Sequence, residues 1–369
     1  MNQLKYVFQN TVAALLRLLA VSKRYSLSKV FLSSIGKTDS AHVLVWMPFK
    51  WRPSYLGGDN FIKDVGLLSA LENAGIEAVP VRSFETVDLS RKAVLFSASK
   101  YYNAFCFPDH SAGLRHVAEQ LATSAGAVFP NPREAAFWEN KVFMHNEFDR
   151  LGIITPKTVI GNIDDYSYET LTKLFSSHQF LIKEVHSFSA KGVHKVASER
   201  DYNEIAENCK INNKSESVLF QELVPMGRDL RVILVGDEIV LHYWRINKGS
   251  EWRPTSTGFG SEVDFDSFPE QWSDYIKDVF CKLGVLTGAF DICWRNDDTS
   301  TTPLVLEVSS FYQPNPRCSN AVIERHGYYG AWKKSLTFRD SYIDAHVDQI
   351  FRIQNHILRD LIETKRLSV

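Results

Sequence analysis

Between His42 and about residue 130 the sequence alternates two periodicities, and that alternation most limits the folds open to it. His42–Met47, Ile76–Val81 and Ala93–Phe96 are short apolar runs rich in β-branched residues, the composition of buried strands. Between and after them, Phe61–Asn73 and Leu114–Ser124 carry apolar residues at helical spacing. Gly75 and Gly126 stop these helices, and Gly57-Gly58-Asp59 supplies the turn and cap of the first. Strands separated by helices predict a parallel α/β sheet. The turn after the first strand holds two glycines but no GxGxxG, so a dinucleotide-binding Rossmann site has little support.

The second half reads differently. A helix is predicted from Glu134 to Leu151, then a helix at Tyr168–Phe175 and strands at Gln179–Lys183, Val193–Val196 and Val218–Val224, with a helix near Asp201–Cys209. After Gly227 the pattern becomes a meander: Asp229–Val235, Glu238–Ile246 and Ser261–Phe265, with Val235-Gly-Asp-Glu238 as a hairpin turn. A helix over Pro269–Leu283, strands at Gly288–Trp294 and Leu304–Val308, and a helix over Tyr342–Thr364 complete the chain. The class is α/β, turning α+β in the C-terminal part.

With 369 residues there is length for two or three domains. Net charge is −1, from 42 basic and 43 acidic residues, which argues against nucleic acid or an anionic membrane as partner. Five cysteines at wide spacing, with no CxxC, argue against a disulfide framework or a zinc site and favour a reducing, cytoplasmic setting. No apolar run approaches the about 20 residues of a membrane span. Phe8–Val21 resembles a signal peptide, but Arg17 interrupts it, so an amphipathic helix that packs on the body is expected. This helix and the C-terminal one are candidate contact surfaces for a homodimer.

Carboxylates inside apolar strands are the chemical anomaly. Glu307 sits in Pro303-Leu-Val-Leu-Glu-Val308, and Asp291 sits between Phe290 and Ile292. A charge there costs several kcal/mol unless paired. If the two strands form a hairpin, both acids lie together and suit a magnesium ion, which one or two carboxylates hold with water and phosphate oxygens. Separate salt bridges or exposed positions are the alternative. Lys183 ends a strand just before the small-residue loop His186–Gly192, which suits phosphate or is a plain surface turn. Gln221–Val224 offers backbone groups to a flat heterocycle, and Asp229 follows within reach of sugar hydroxyls; a strand, turn and strand with surface charges is the other reading. Arg231, Arg245 and Arg253 suit phosphoryl or carboxylate groups, or are solvated surface charges.

In order, these pieces resemble the ATP-grasp superfamily of carboxylate–amine ligases, which includes glutathione synthetases and ribosomal-protein glutamate ligases. The resemblance covers about Pro130 to Pro316, with 41–132 as the parallel-sheet pre-domain. It implies a small lid subdomain at 133–224 and a large subdomain with the metal site at 225–340. These are flanked by an N-terminal helical extension at 1–40 and a C-terminal helix at 341–369. Carried over by position, it makes Lys141 and Lys183 nucleotide-phosphate lysines. It makes the segment from Ser187 to Gly192, with Ser189 and Lys191, the loop closing over the phosphates. Gln221, Glu222, Leu223 and Val224 become the adenine-reading linker, with Glu222 accepting from the base, and Asp229 the ribose acid. Asp291, Glu307 and Ser309 become the metal site. The family commonly has Glu-x-Asn there, and this chain has Glu307-Val-Ser309; Asn315 is another amide available.

The implied cofactors are ATP and Mg2+, and the implied reaction is amide formation through an acylphosphate, from small-molecule carboxylate and amine substrates. Arg253 is the first choice for the arginine that neutralises the transferring phosphoryl, with Arg245 second and Arg231 in the same meander. His186 and His194 are bystanders. A sugar-acid or peptide acceptor, in cell-surface polysaccharide or peptide metabolism, fits the layout. An ATP-dependent phosphotransferase and a non-catalytic nucleotide-binding protein are the competing classes.

Overall fold

A computed structural model describes residues 12, 14–32, 41–47, 58–84, 87–97, 112–138, 140–187, 192–211, 217–249, 251–317 and 336–367. The chain divides into two compact units, one of residues 1–135 with 311–369 and the other of residues 136–310.

The first unit is built on a four-stranded parallel sheet, β2-β1-β3-β4, from β1 (Val43–Trp46), β2 (Ala78–Val81), β3 (Ala93–Phe96) and β4 (Ala127–Phe129). The predicted parallel sheet is therefore present. Every residue of β1 and β3 is buried, which is why these strands read as continuous apolar runs rather than alternating ones. Helix α1 (Leu27–Leu32) precedes the sheet, α2 (Asp59–Asn73) follows β1, and α3 (Ala112–Ser124) leads into β4. The short α4 (Pro132–Ala136) ends this half. Residues 14–22 are helical, bury Val21 and are tied on by Arg24, 3.0 Å from Asp344. The long C-terminal helix α9 (Leu336–Glu363) packs along α2, and His346 lies 3.1 Å from Asp59 at the start of α2.

The predicted helix Glu134–Leu151 is two helices. The second, α5 (Lys141–Arg150), starts afresh because the Asn140 side chain accepts from the Phe143 N–H at 3.1 Å and caps it. This break puts Lys141 on the first turn.

The second unit has two antiparallel sheets. One has the order β5-β8-β6-β7, from β5 (Thr158–Gly161), β6 (Phe180–Glu184), β7 (Val193–Val196) and β8 (Val218–Glu222). Helices α6 (Tyr168–Phe175) and α7 (Glu199–Ile211) cover it, burying Phe180, Ile182 and Phe220 under Leu171 and Tyr202. The other has the order β11-β10-β9-β12-β13, from β9 (Arg228–Val235), β10 (Glu238–Ile246), β11 (Glu262–Asp264), β12 (Thr287–Cys293) and β13 (Leu304–Ser309). Alternation sends Leu230, Val232, Trp244, Phe290 and Ile292 to one face of this sheet. There they pack on Met144 and Phe148 of α5 and on Ile276, Val279 and Phe280 of α8 (Ser273–Lys282). The other face carries the residues that looked chemical.

Candidate active site

Register assembles the site. Tyr243, Arg231, Asp291 and Glu307 are successive partners across β10, β9, β12 and β13. One rung along, Arg245 faces Asp229. Residues two apart on a strand share a face, so Asp229 and Arg231 point with Tyr243, Arg245 and Asp291 away from the core. A β-bulge leaves Leu306 without a partner, because Asp291 pairs with Glu307 but Ile292 pairs with Val305. The extra residue turns Glu307 to the site side while Val305 and Val308 stay in the core. Ser309 is two residues on from Glu307, opposite Ala289.

Two acids and two guanidiniums interlock on this face. Arg231 donates from Nε and Nη2 to the two Asp291 oxygens at 2.7 Å each. Arg245 donates from Nε to Asp229 Oδ1 at 2.8 Å, and its Nη2 pairs with Asp229 Oδ2 and, at 2.9 Å, with Asp291 Oδ2. Asp229, Arg245 and Asp291 are all buried. Burial pushes the Asp291 carboxyl up, but the Arg231 and Arg245 guanidiniums outweigh it and hold the group at about 2. The same contacts raise both arginines, against burial.

Lys183 comes from β6 of the other sheet and Lys141 from the first turn of α5. Burial pushes Lys183 down to about 8, opposed chiefly by the Glu307 carboxylate, with Lys141 pushing the same way as burial. The Lys141 ammonium donates to the Ser187 carbonyl at 2.8 Å and to Ser187 Oγ at 3.0 Å. Gly192 closes the base of the β6–β7 loop: a Cβ there would stand 2.5 Å from the Ser187 side chain and 2.9 Å from Glu184 Cβ, so only glycine fits. Ser189 and Lys191 lie outside the described residues.

Other expected residues are placed differently. Arg253 is not in the acid–arginine row; it reaches Asn247 Oδ1 at 3.3 Å and the Lys248 and Gly260 carbonyls at 3.5 Å, bracing its own loop. Gln221 is buried, its Nε2 donating to Thr158 Oγ1 at 2.8 Å. Glu222 Oε1 accepts from the Lys157 N–H at 2.7 Å and pairs with Arg295. β8 continues through Glu222, so the chain leaves the sheet only at Leu223, and Val224 is buried beside Cys293 and Leu304. His194 pairs with Glu184 at 3.1 Å. Asn315 belongs to the first unit.

Two residues were missed. Tyr243 is fully buried and its hydroxyl has no hydrogen-bond partner among the described residues, although it stands beside Arg231 in the row. His145, one helical turn beyond Lys141, is buried, and its Nε2 has no partner among the described residues. Burial and the two lysine charges push it down to about 3, so its imidazole is neutral. Its i+4 spacing from Lys141 was the available signal.

These observations test the fit of a metal. Among the described residues no group of three or more His, Cys, Asp or Glu is placed to hold a metal ion. Asp291 and Glu307 are nonetheless directly opposed, and the Lys183 charge lies near the Glu307 carboxylate. That donor set fits magnesium, which takes one or two carboxylates and fills its shell from phosphate and water.

No family model matches the chain. Over 155 residues it is 24% identical to the alpha-aminoadipate–LysW ligase LysX of Sulfurisphaera tokodaii, an alignment covering 41% of this chain and 52% of that protein. The chain thus spans about half the length of the curated relative it matches. A RimK-domain ATP-grasp protein from Sphaerobacter thermophilus superposes with a TM-score of 0.50 at 16% identity, covering 83% of this chain and 98% of its own. D-alanine–D-alanine ligase from Bacillus anthracis gives 0.51 at 13% identity over 88% and 99% of the two chains. D-cycloserine synthetase DcsG gives 0.52 at 13% over 84% and 99%. No helix among the described residues is long and apolar enough to cross a membrane. The parallel sheet followed by two antiparallel sheets accords with these likenesses: the chain has the ATP-grasp fold.

Proposed function

We propose that the protein is an ATP- and magnesium-dependent ligase that joins a carboxylate to an amine through an acylphosphate. The observation that carries this reading is the row Tyr243–Arg231–Asp291–Glu307, with Lys183 held beside Glu307 and Lys141 anchored on Ser187. Amide formation from a free carboxylate is slow because oxide is a poor leaving group. Transfer of the ATP γ-phosphoryl to the carboxylate makes phosphate the leaving group, and the amine then displaces it. The first step needs positioning and neutralisation of charge more than covalent help.

Lys141 and Lys183 carry the positive charge for the triphosphate. Asp291 and Glu307 hold the magnesium, which when bound neutralises phosphate charge and orients the γ-phosphoryl. Arg231 and Arg245, their forks held by Asp291 and Asp229, place positive charge beside the substrate carboxylate and the developing acylphosphate, and the Tyr243 hydroxyl supplies a donor beside them. Arg253 is left a role in its own loop. The segment from Ser187 to Gly192, with Ser189 and Lys191, serves as the closing loop that excludes water from the acylphosphate. Glu222 to Val224 reads adenine. The acceptor is a small carboxylic acid, a sugar acid or a peptide; the balanced net charge gives no support for an acidic polymer. The widely spaced cysteines support a cytoplasmic setting.

A coupled ADP-release screen over carboxylate and amine pairs tests the reading, with hydroxylamine as trap. Hydroxamate formation identifies the acylphosphate. ADP release onto alcohols without hydroxamate identifies a phosphotransferase instead, and nucleotide binding with no ADP release on any pair identifies a non-catalytic protein.

A further inference from the structure

Three consecutive residues in the turn between β12 and β13 each grip the segment that leads from β8 to β9. Arg295 Nη2 pairs with Glu222 Oε1. The Asn296 N–H donates to the Pro225 carbonyl at 2.6 Å. The Asp297 carboxylate accepts from the Gly227 N–H at 3.0 and 3.1 Å and from the Arg228 N–H at 3.2 Å. The grip is close: a Cβ on Gly227 would stand 3.0 Å from Asp297 Oδ2. Asn296 and Asp297 both adopt left-handed backbone, with φ of 55° and 58°. Two adjacent non-glycine residues stay there only where the surroundings over-determine them, and Asn and Asp are the types that tolerate it best.

The gripped segment starts at Glu222 and ends at Asp229, which is locked to Arg245. Glu222 Oε1 has two donors, the Lys157 N–H and the Arg295 guanidinium. That pairing fixes the carboxylate as a pure acceptor and leaves Oε2 for a ligand. Position 6 of a purine presents an amino donor in adenine and an oxo acceptor in hypoxanthine. A fixed carboxylate bonds the first and opposes the second.

We infer that the Arg295–Asp297 turn is a positioning clasp that sets base selectivity, by presenting Glu222 as an acceptor to the 6-amino group of the nucleotide. This rests on the nucleotide-binding reading above. Arg295 and Asp297 act through Glu222 and the linker, and neither touches the base.

The test is the ratio of Kd values for ITP and ATP, each with magnesium, measured by calorimetry on the full chain. ITP differs from ATP only on the pyrimidine edge of the base, where an oxo group replaces the 6-amino group and N1 carries a proton. The wild type should prefer ATP by about tenfold or more, the scale of one misplaced hydrogen bond. Arg295→Met and Asp297→Asn should each lower that ratio by about fivefold or more, and Glu222→Gln should bring it near unity, since an amide can turn to donate. In the Glu222→Gln background, Arg295→Met should change the ratio no further; a merely structural role predicts equal effects in both backgrounds. Arg295→Lys, which keeps the charge and loses the fork, serves if Arg295→Met does not fold. Unchanged ratios in folded single variants, with ATP still bound, overturn the clasp alone. A wild type that binds neither nucleotide overturns the nucleotide reading and the clasp with it.

Discussion

Asp291 and Glu307 stand directly opposite each other on adjacent antiparallel strands, yet their surroundings differ: Asp291 accepts from two guanidiniums, while Glu307 has the Lys183 charge nearby and no bonded partner among the described residues. The two acids should therefore separate in a mutational test. Glu307→Gln and Asp291→Asn should each cut ADP release by about 100-fold or more, the scale of removing one preorganised charge contact. Only Asp291→Asn should also lower the melting temperature, because it leaves Arg231 and Arg245 short of an anion. Glu307→Gln should melt at or above the wild type. Normal turnover in both variants would remove the metal assignment.

Arg245 bridges Asp229 and Asp291, and all three are buried. Arg245→Leu should destabilise the chain by about 3–5 kcal/mol, since two carboxylates lose a charge they cannot replace with water. Adding Asp229→Leu should recover part of that loss. Urea unfolding of the single and double variants measures both.

Lys183, held down to about 8, gives two pH effects of opposite sense. Between about 8 and the ordinary lysine value of about 10.4, the unfolded chain binds more protons at this position than the folded chain. Stability from this group therefore rises with pH across that window, and below about 8 the full cost of burying the ammonium is felt. On the proposed role of Lys183 as a phosphate ligand, binding uses the charged amine, so ATP affinity should fall as pH rises past about 8. Lys183→Arg, which stays charged, should flatten the affinity profile. A wild-type affinity that does not change between about pH 7 and 9.5 would exclude Lys183 as a phosphate ligand.

Gly192→Ala should push Ser187 away from the Lys141 ammonium, because the new methyl would sit 2.5 Å from its side chain. The expected result is a rise of about tenfold in KM for ATP together with a lowered melting temperature, because Ser187 and Glu184 must both give way and a displacement of this size near a binding group costs about that much or more. An unchanged KM would show that Ser187 does not position Lys141 for nucleotide.

Much of this was readable from residue order. β1, β2 and β3 were visible because parallel strands buried on both faces leave unbroken apolar runs. Lys183, Asp291 and Glu307 were visible as charges where apolar residues were due. The break after Ala136 was hidden because Phe137 and Trp138 keep the apolar pattern going, while the deciding signal is one capping side chain, Asn140. The pairing of Arg231 with Asp291 could not be read at all. It depends on β9 and β12 meeting across a long stretch of sequence, and period-two patterns fix faces but not distant registers. Arg253 attracted interest through its Trp-Arg-Pro setting, yet a loop residue's reach is set by the path of the loop. The turn at 295–297 read as a polar connection; its contacts with Glu222, Pro225 and Gly227 are tertiary.

Helix α9 packs along α2, so the first unit is assembled from stretches on either side of the second, which is inserted between them. As the chain leaves the ribosome, the inserted unit has all its strands available while the first still lacks a wall. Until α9 emerges, the apolar flank of α2 stays open to solvent and to other chains. An element made late thus shields a helix made early, and a defect in α9 should surface as aggregation of nascent protein before it surfaces in the chemistry.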